Sequence, residues 1–85
     1  MDILFLNERE ELTEAVNNNL FVEIAGKLYT PPLTCGLLPG IYRHHLLQTD
    51  PSASERILSL ADLRSASALF LSNSVRGLRQ VTLGA

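Results

Sequence analysis

The sequence contains a single cysteine, Cys35, which excludes an intrachain disulfide and fits a reducing compartment. It contains a single lysine, Lys27, so amine chemistry has one candidate side chain. No apolar run is long enough to span a bilayer, and the opening Met1–Asn7 stretch is too short for a signal peptide. The expected protein is soluble and cytoplasmic, with no membrane partner. Positive charge is also scarce: the net charge is −2 and the isoelectric point about 5.5, which gives no electrostatic reason to expect nucleic acid. The two histidines, His44 and His45, are adjacent; on a helix they point about 100° apart and cannot chelate one ion together, so no metal site is expected.

Apolar residues, by contrast, are plentiful. They make up 46% of a chain of 85 residues, which is at most one domain, with runs at residues 20–24 and 68–71. A domain this small covers its apolar surface poorly. Part of that surface is expected to lie against something outside the chain, either a missing segment or another subunit. No repeat, low-complexity tract or linker divides the sequence.

Taken in order, residues 3–6 read as a short strand stopped by Asn7-Glu8-Arg9-Glu10, and Glu8, Glu10 and Glu11 as a solvated turn. Residues 12–14 read as a second strand, broken at Asn17-Asn18-Asn19. Residues 20–24 form a third, with Leu20, Val22 and Ile24 on one apolar face. Ala25-Gly26 turns the chain into a fourth strand at 27–30, ended by Pro31 and Pro32. A helix is expected from about Pro39 to Gln48, its buried stripe formed by Leu38, Ile41, Tyr42, His45 and Leu46. Residues 49–54 read as a loop, and Ser59 with Asp62 as a capping box opening a short helix to about Ser65. A buried strand at 68–72, a polar turn at 73–77 and a last strand from about 78 to 83 complete an α+β chain.

The segment from Thr30 to Arg43 organises the rest. Pro39 suits a first helical position, Gly40 leaves room for a ligand to approach the backbone, and Ile41 and Tyr42 supply free N–H groups. A helix start of this kind favours an anion, phosphate above all.

Three segments in this order and spacing resemble the C-terminal part of the class IV aminotransferase family, the fold-type IV enzymes that use pyridoxal phosphate. They are Thr13-Glu14 with Asn19-Leu20-Phe21, then Leu28-Tyr29-Thr30-Pro31-Pro32 running into Leu37-Leu38-Pro39-Gly40-Ile41-Tyr42-Arg43, then Leu71-Ser72-Asn73-Ser74-Val75-Arg76-Gly77. The short loop after the first helix and the Asn73–Gly77 turn are most similar to the 4-amino-4-deoxychorismate lyases, which release pyruvate to give p-aminobenzoate for folate synthesis. The resemblance implies the C-terminal subdomain of the D-amino-acid aminotransferase-like fold: a small mixed or antiparallel sheet, half of a pseudo-barrel, with two short helices. Residues 1–85 would form one cofactor-binding subdomain.

The resemblance also implies roles. Glu14 matches the carboxylate facing the pyridine nitrogen, where it keeps the ring protonated as an electron sink. Leu38 matches the leucine that packs on the ring. Ile41 and Tyr42 match the residues whose amides hold the phosphate, and Ser74 the hydroxyl that donates to it. Val75 matches a position whose N–H reaches a substrate carboxylate, and Arg76 adds charge for a dicarboxylic substrate unless it is simply an exposed turn residue.

Two positions depart from the pattern. Ala15 stands where the family often has glycine. The Schiff-base lysine, which in the family precedes the matching segment, has no counterpart: Lys27 follows a hairpin turn, where it has neither the reach nor the depressed pKa of a nucleophile. Cys35, with no neighbouring base in sequence, reads as a small buried residue. The expected function is the cofactor-binding portion of an aminodeoxychorismate lyase-like enzyme, inactive alone and acting on a small-molecule substrate when complete. The alternatives are part of a branched-chain or D-amino-acid aminotransferase, or a non-catalytic remnant or interaction module. The expected partner is a second copy in a homodimer, or a missing N-terminal domain.

Overall fold

The computed structural model describes residues 4–15, 18–73 and 77–81. Along the chain run β1 (Leu4–Leu6), β2 (Leu12–Ala15), β3 (Asn18–Ile24), β4 (Lys27–Thr30), a 3-10 turn (Leu33–Cys35), α1 (Ile41–Thr49), β5 (Ala53–Glu55), α2 (Leu60–Ser65), β6 (Ala68–Asn73) and β7 (Gly77–Val81). This is the α+β architecture expected, a mixed sheet of seven strands with two helices. The first strand lies as expected from Leu4, with residue 3 outside the described residues. The last strand ends at Val81, with residues 82 and 83 outside them.

β3 is the axis of the sheet. It pairs antiparallel with β6 over residues 19–23, which occupies one of its edges. The other edge is shared: β2 takes Asn18 and Asn19, and β4 takes residues 22–24. The sheet therefore forks beside Leu20 and Phe21. At the fork, the Leu20 carbonyl accepts a hydrogen bond from the buried Thr30 hydroxyl at 2.7 Å, so it is not left unsatisfied. Leu20 and Val22 face a core of Leu12, Ala15, Leu58, Leu63, Leu69 and Leu71. Phe21, opposite Phe70 in the register, is buried on the other face.

The Ala25-Gly26 turn is present, with both residues at positive φ as a tight hairpin of the right twist requires. The capping box is also present: Ser59 N–H donates to Asp62 Oδ2 at 2.9 Å, and Asp62 N–H donates to Ser59 Oγ.

Four expectations are corrected. The asparagine break does not include Asn18 and Asn19, which are strand residues fixed by pairing with Ala15 and Glu14; Asn17 lies outside the described residues. Residues 49–54 are not all loop, because α1 returns the chain so that β5 lies parallel to β4. Pro39 is not the first helical residue: Gly40 is the N-cap, and its N–H turns back to the Leu38 carbonyl at 3.0 Å. Finally, the buried stripe of α1 does not include Leu38 and Ile41, which are 71% and 77% exposed, and His45 is exposed too. Tyr42, Arg43, Leu46 and Leu47 face inward instead, with Arg43 only 4% exposed. The helix is rolled about its axis because the Arg43 guanidinium finds acceptors beneath it, the buried Pro31 carbonyl at 3.0 Å and the half-exposed Glu55 carboxylate.

A polar cluster ties the β1–β2 turn to the 3-10 turn. Asn7 Nδ2 donates to Glu11 Oε1 at 2.8 Å and to the Cys35 carbonyl at 3.1 Å, and Arg9 Nε donates to the same Glu11 oxygen. The Asn7 amide, with help from Arg9 and the Cys35 thiol, holds the Glu11 carboxyl below its ordinary range. The Ser52 hydroxyl and N–H do so for Asp50, and the Ser59 N–H for Asp62. Burial, and then the Glu11 carboxylate, push the Cys35 thiol up.

The depressed carboxyls take up protons more readily in the unfolded chain, so their contribution is complete above the unfolded pKa and lost as pH falls. The thiol has the opposite sign, its contribution being lost as pH rises. The thermal midpoint should hold level between about pH 6 and 8, fall below about pH 4.5, and fall again above about pH 9. A midpoint unchanged down to about pH 3 would contradict this assignment.

Candidate functional site

Next to the fork in the sheet lies a cleft of about 260 Å³. Its floor comes from the ends of three strands: Glu14 from β2, Asn18 and Asn19 from β3, Ser72 and Asn73 from β6. Its wall is the approach to α1, with Leu38, Gly40 and Ile41. Glu14 pairs with Asn19, and Asn19 with Ser72, in the register of the sheet. Directly opposed residues point to the same face, so these three polar side chains form one row.

Two bonds fix the wall to this row. The Leu38 N–H donates to Glu14 Oε1 at 3.0 Å, and Asn19 Nδ2 donates to the Leu38 carbonyl at 3.0 Å. A carboxylate has about four acceptor positions, so Glu14 keeps capacity for another donor. Ser72 is 1% exposed, and its hydroxyl has no hydrogen-bond partner among the described residues. An unpaired buried hydroxyl beside a cleft is a donor and acceptor available to an occupant. At the wall, the first N–H of α1 with a helical acceptor is that of His44, which donates to the Gly40 carbonyl. The N–H groups of Ile41 and Tyr42 have no acceptor within the helix.

Of the residues expected from sequence, Glu14, Leu38 and Ile41 come together in this cleft. Tyr42 does not line it. Its ring lies near His45, with centroids 6.1 Å apart, and within ordinary contact distance of Gly77. Ser74, Val75 and Arg76 lie outside the described residues, although Asn73, just before them, lines the cleft. The room expected at Gly40 exists, but a neighbouring side chain takes it: a Cβ there would lie 2.1 Å from Asn19 Oδ1.

Lys27 is exposed at the β3–β4 hairpin and does not line the cleft. Cys35 is buried as expected and donates to Glu11. No group of three or more metal-ligating side chains occurs among the described residues. Among them, too, no helix is long and apolar enough to cross a membrane.

Sequence reading missed Asn19 and Ser72 as cleft residues. Asn19 looks like part of a turn, and Ser72 like the frayed end of an apolar strand. A signal was present in that both are polar residues at the ends of apolar runs, but only the register places them side by side.

The family model for amino-transferase class IV matches residues 1–83. The chain belongs to the class IV aminotransferase family. Among solved structures, it is 46% identical to a Mesorhizobium loti protein provisionally assigned as an amino-acid aminotransferase, over 98% of this chain and 40% of that one, with a TM-score of 0.91. It is 39% identical to a Legionella pneumophila protein provisionally assigned as a 4-amino-4-deoxychorismate lyase, over 94% of this chain and 31% of that one, with a TM-score of 0.85. A Thermotoga maritima protein provisionally assigned as a branched-chain-amino-acid aminotransferase is 30% identical over 80 residues, 89% of this chain and 29% of its own length. The class IV chain described here thus spans well under half the length of each of these relatives.

Proposed function

We propose that this chain is the cofactor-binding part of a pyridoxal-phosphate enzyme, with an aminodeoxychorismate lyase as the first reading. The observation that carries it is the cleft itself. A carboxylate stands on its floor, N–H groups without helical acceptors stand at its wall, and an unpaired buried hydroxyl lies beside them. That donor and acceptor set suits a ligand with a basic ring nitrogen and an anionic group. When bound, pyridoxal phosphate supplies an electron sink.

Glu14 would hold the proton on the ring nitrogen. Leu38, exposed beside it, would pack on the ring face. The Ile41 and Tyr42 amides and the Ser74 hydroxyl would hold the phosphate, the Val75 N–H would meet a substrate carboxylate, and Arg76 would add charge. The cleft is slightly smaller than the roughly 300 Å³ at the low end of ligand pockets, as befits one side of a site. We place the bond-forming lysine outside this chain, on an N-terminal domain, and the rest of the enclosure on that domain or on a second copy in a homodimer. The exposed apolar side chains of Leu38 and Ile41 support a covering partner of this kind.

The aminotransferase reading draws support from the Mesorhizobium loti and Thermotoga maritima relatives. The lyase reading draws it from the Legionella pneumophila relative and the sequence of residues 73–77. Pyruvate released from aminodeoxychorismate, as against amino transfer to a 2-oxo acid, separates the two in the complete enzyme. The cofactor reading is tested by titrating the protein with pyridoxal phosphate, then reducing with borohydride and measuring intact mass. Saturable, reversible binding without a stoichiometric adduct is the expected result. An adduct mapped to Lys27 would make that residue the nucleophile, and absence of saturable binding would refute the reading.

A further inference from the structure

We infer that Asn19 is a positioning residue of the cofactor cleft, acting through the Leu38 peptide and through Gly40. The inference rests on the cofactor reading above. Asn19 is 5% exposed, and both ends of its amide are engaged. Nδ2 donates to the Leu38 carbonyl, which also accepts the Gly40 N–H. Oδ1 sits in the space that Gly40 leaves by having no side chain.

Across the hairpin, the register partner of Asn19 is Glu14, which accepts from the N–H of the same Leu38. One peptide unit on each side of Leu38 is thereby held by a neighbouring pair of strand residues. The leucine meant for the ring and the amides meant for the phosphate follow within four residues of sequence, so this clamp sets where both stand relative to the Glu14 carboxylate.

The arrangement also explains why residue 40 is glycine. Its backbone, at φ −66° and ψ 144°, is open to any residue, so conformation alone does not call for one. A Cβ, however, would stand 2.1 Å from Asn19 Oδ1 and 3.3 Å from its Cγ. The requirement for glycine is imposed by Asn19. It should vanish when the amide is removed.

The test is a double-mutant cycle of Asn19→Ala and Gly40→Ala in the protein. It is read by thermal midpoint and by equilibrium dialysis of pyridoxamine 5′-phosphate, which has no aldehyde to trap a stray amine. Asn19→Ala should weaken binding about tenfold, the loss expected for one buried hydrogen bond that orders the site. The thermal shift should be too small to explain it. Gly40→Ala alone should weaken binding at least about tenfold and lower the midpoint, but in the Asn19→Ala background it should cost less than about twofold.

Unchanged affinity in Asn19→Ala, or an equal cost of Gly40→Ala in both backgrounds, would overturn the inference. Coupling seen in the midpoint alone would make Asn19 a structural residue only and also overturn it. Failure of the wild type to bind removes the cofactor reading and this inference with it, whereas binding with an additive cycle removes only the inference.

Discussion

Replacing Arg43 by alanine is expected to lower the stability of the protein by about 3 kcal/mol, measured by urea unfolding with an unchanged slope. The guanidinium is almost fully buried and holds the Pro31 carbonyl, itself buried, together with the Glu55 carboxylate. Truncation strands that carbonyl without a donor and leaves a void under α1. Breaking a fully buried pair costs about 3–5 kcal/mol, but Glu55 is 46% exposed and regains water, which puts the cost near the low end of that range.

Arg43→Met should be milder than alanine, because it fills the space. Arg43→Lys should not restore the wild type, since both acceptors are served by the terminal Nη2, which lies beyond the end of the shorter lysine side chain. The guanidinium Nε is buried without a partner among the described residues, so part of the desolvation cost is already carried by the native state. A loss below about 0.5 kcal/mol for the alanine variant would show that the packing of α1 does not depend on this side chain.

Glu14→Gln should weaken pyridoxamine 5′-phosphate binding about 10- to 100-fold near neutral pH, if the cofactor reading holds. A charge-assisted hydrogen bond to a protonated ring nitrogen contributes about 1.5–3 kcal/mol, and each 1.4 kcal/mol is tenfold. Glutamine keeps an acceptor for the Leu38 N–H, so the wall of the cleft stays in place and the loss reports charge. Glu14→Ala removes the acceptor as well and should bind more weakly still. In the complete enzyme the alanine variant should abolish turnover while leaving the fold intact. Equal affinities for wild type and both variants would take the ring nitrogen away from Glu14.

What the sequence revealed, and what it hid, divides along physical lines. Features written in neighbouring residues were legible: the Ala25-Gly26 turn, the Ser59–Asp62 box and the apolar run of β6 all carry their own chemistry. β5 was not, because Ala53-Ser54-Glu55 has no apolar alternation and becomes a strand only through the edge that β4 offers. The inward face of α1 was misjudged because an arginine reads as a solvent residue until buried acceptors for it are known. Of the residues lining the cleft, Glu14, Leu38 and Ile41 stand out in the sequence through a family pattern, and Ile41 also through its place at a helix start. Asn19 and Ser72 emerged only with the strand register, which no local window of sequence contains.

The fork of β3 has a mechanical consequence. In the ladder of the sheet, β1 and β2 form one arm, β4 and β5 another, and β3 is the trunk that joins them. The carboxylate of the cleft belongs to the first arm; Leu38 and the start of α1 follow from the second. Hinging the arms apart would break the Leu38–Glu14 bond that crosses between them, together with the bonds of Asn7 and Glu11 to Cys35. A molecule gripped at one end by Glu14 and at the other by the helix start would act as a strut across that hinge. Occupancy and rigidity of this region would then rise together.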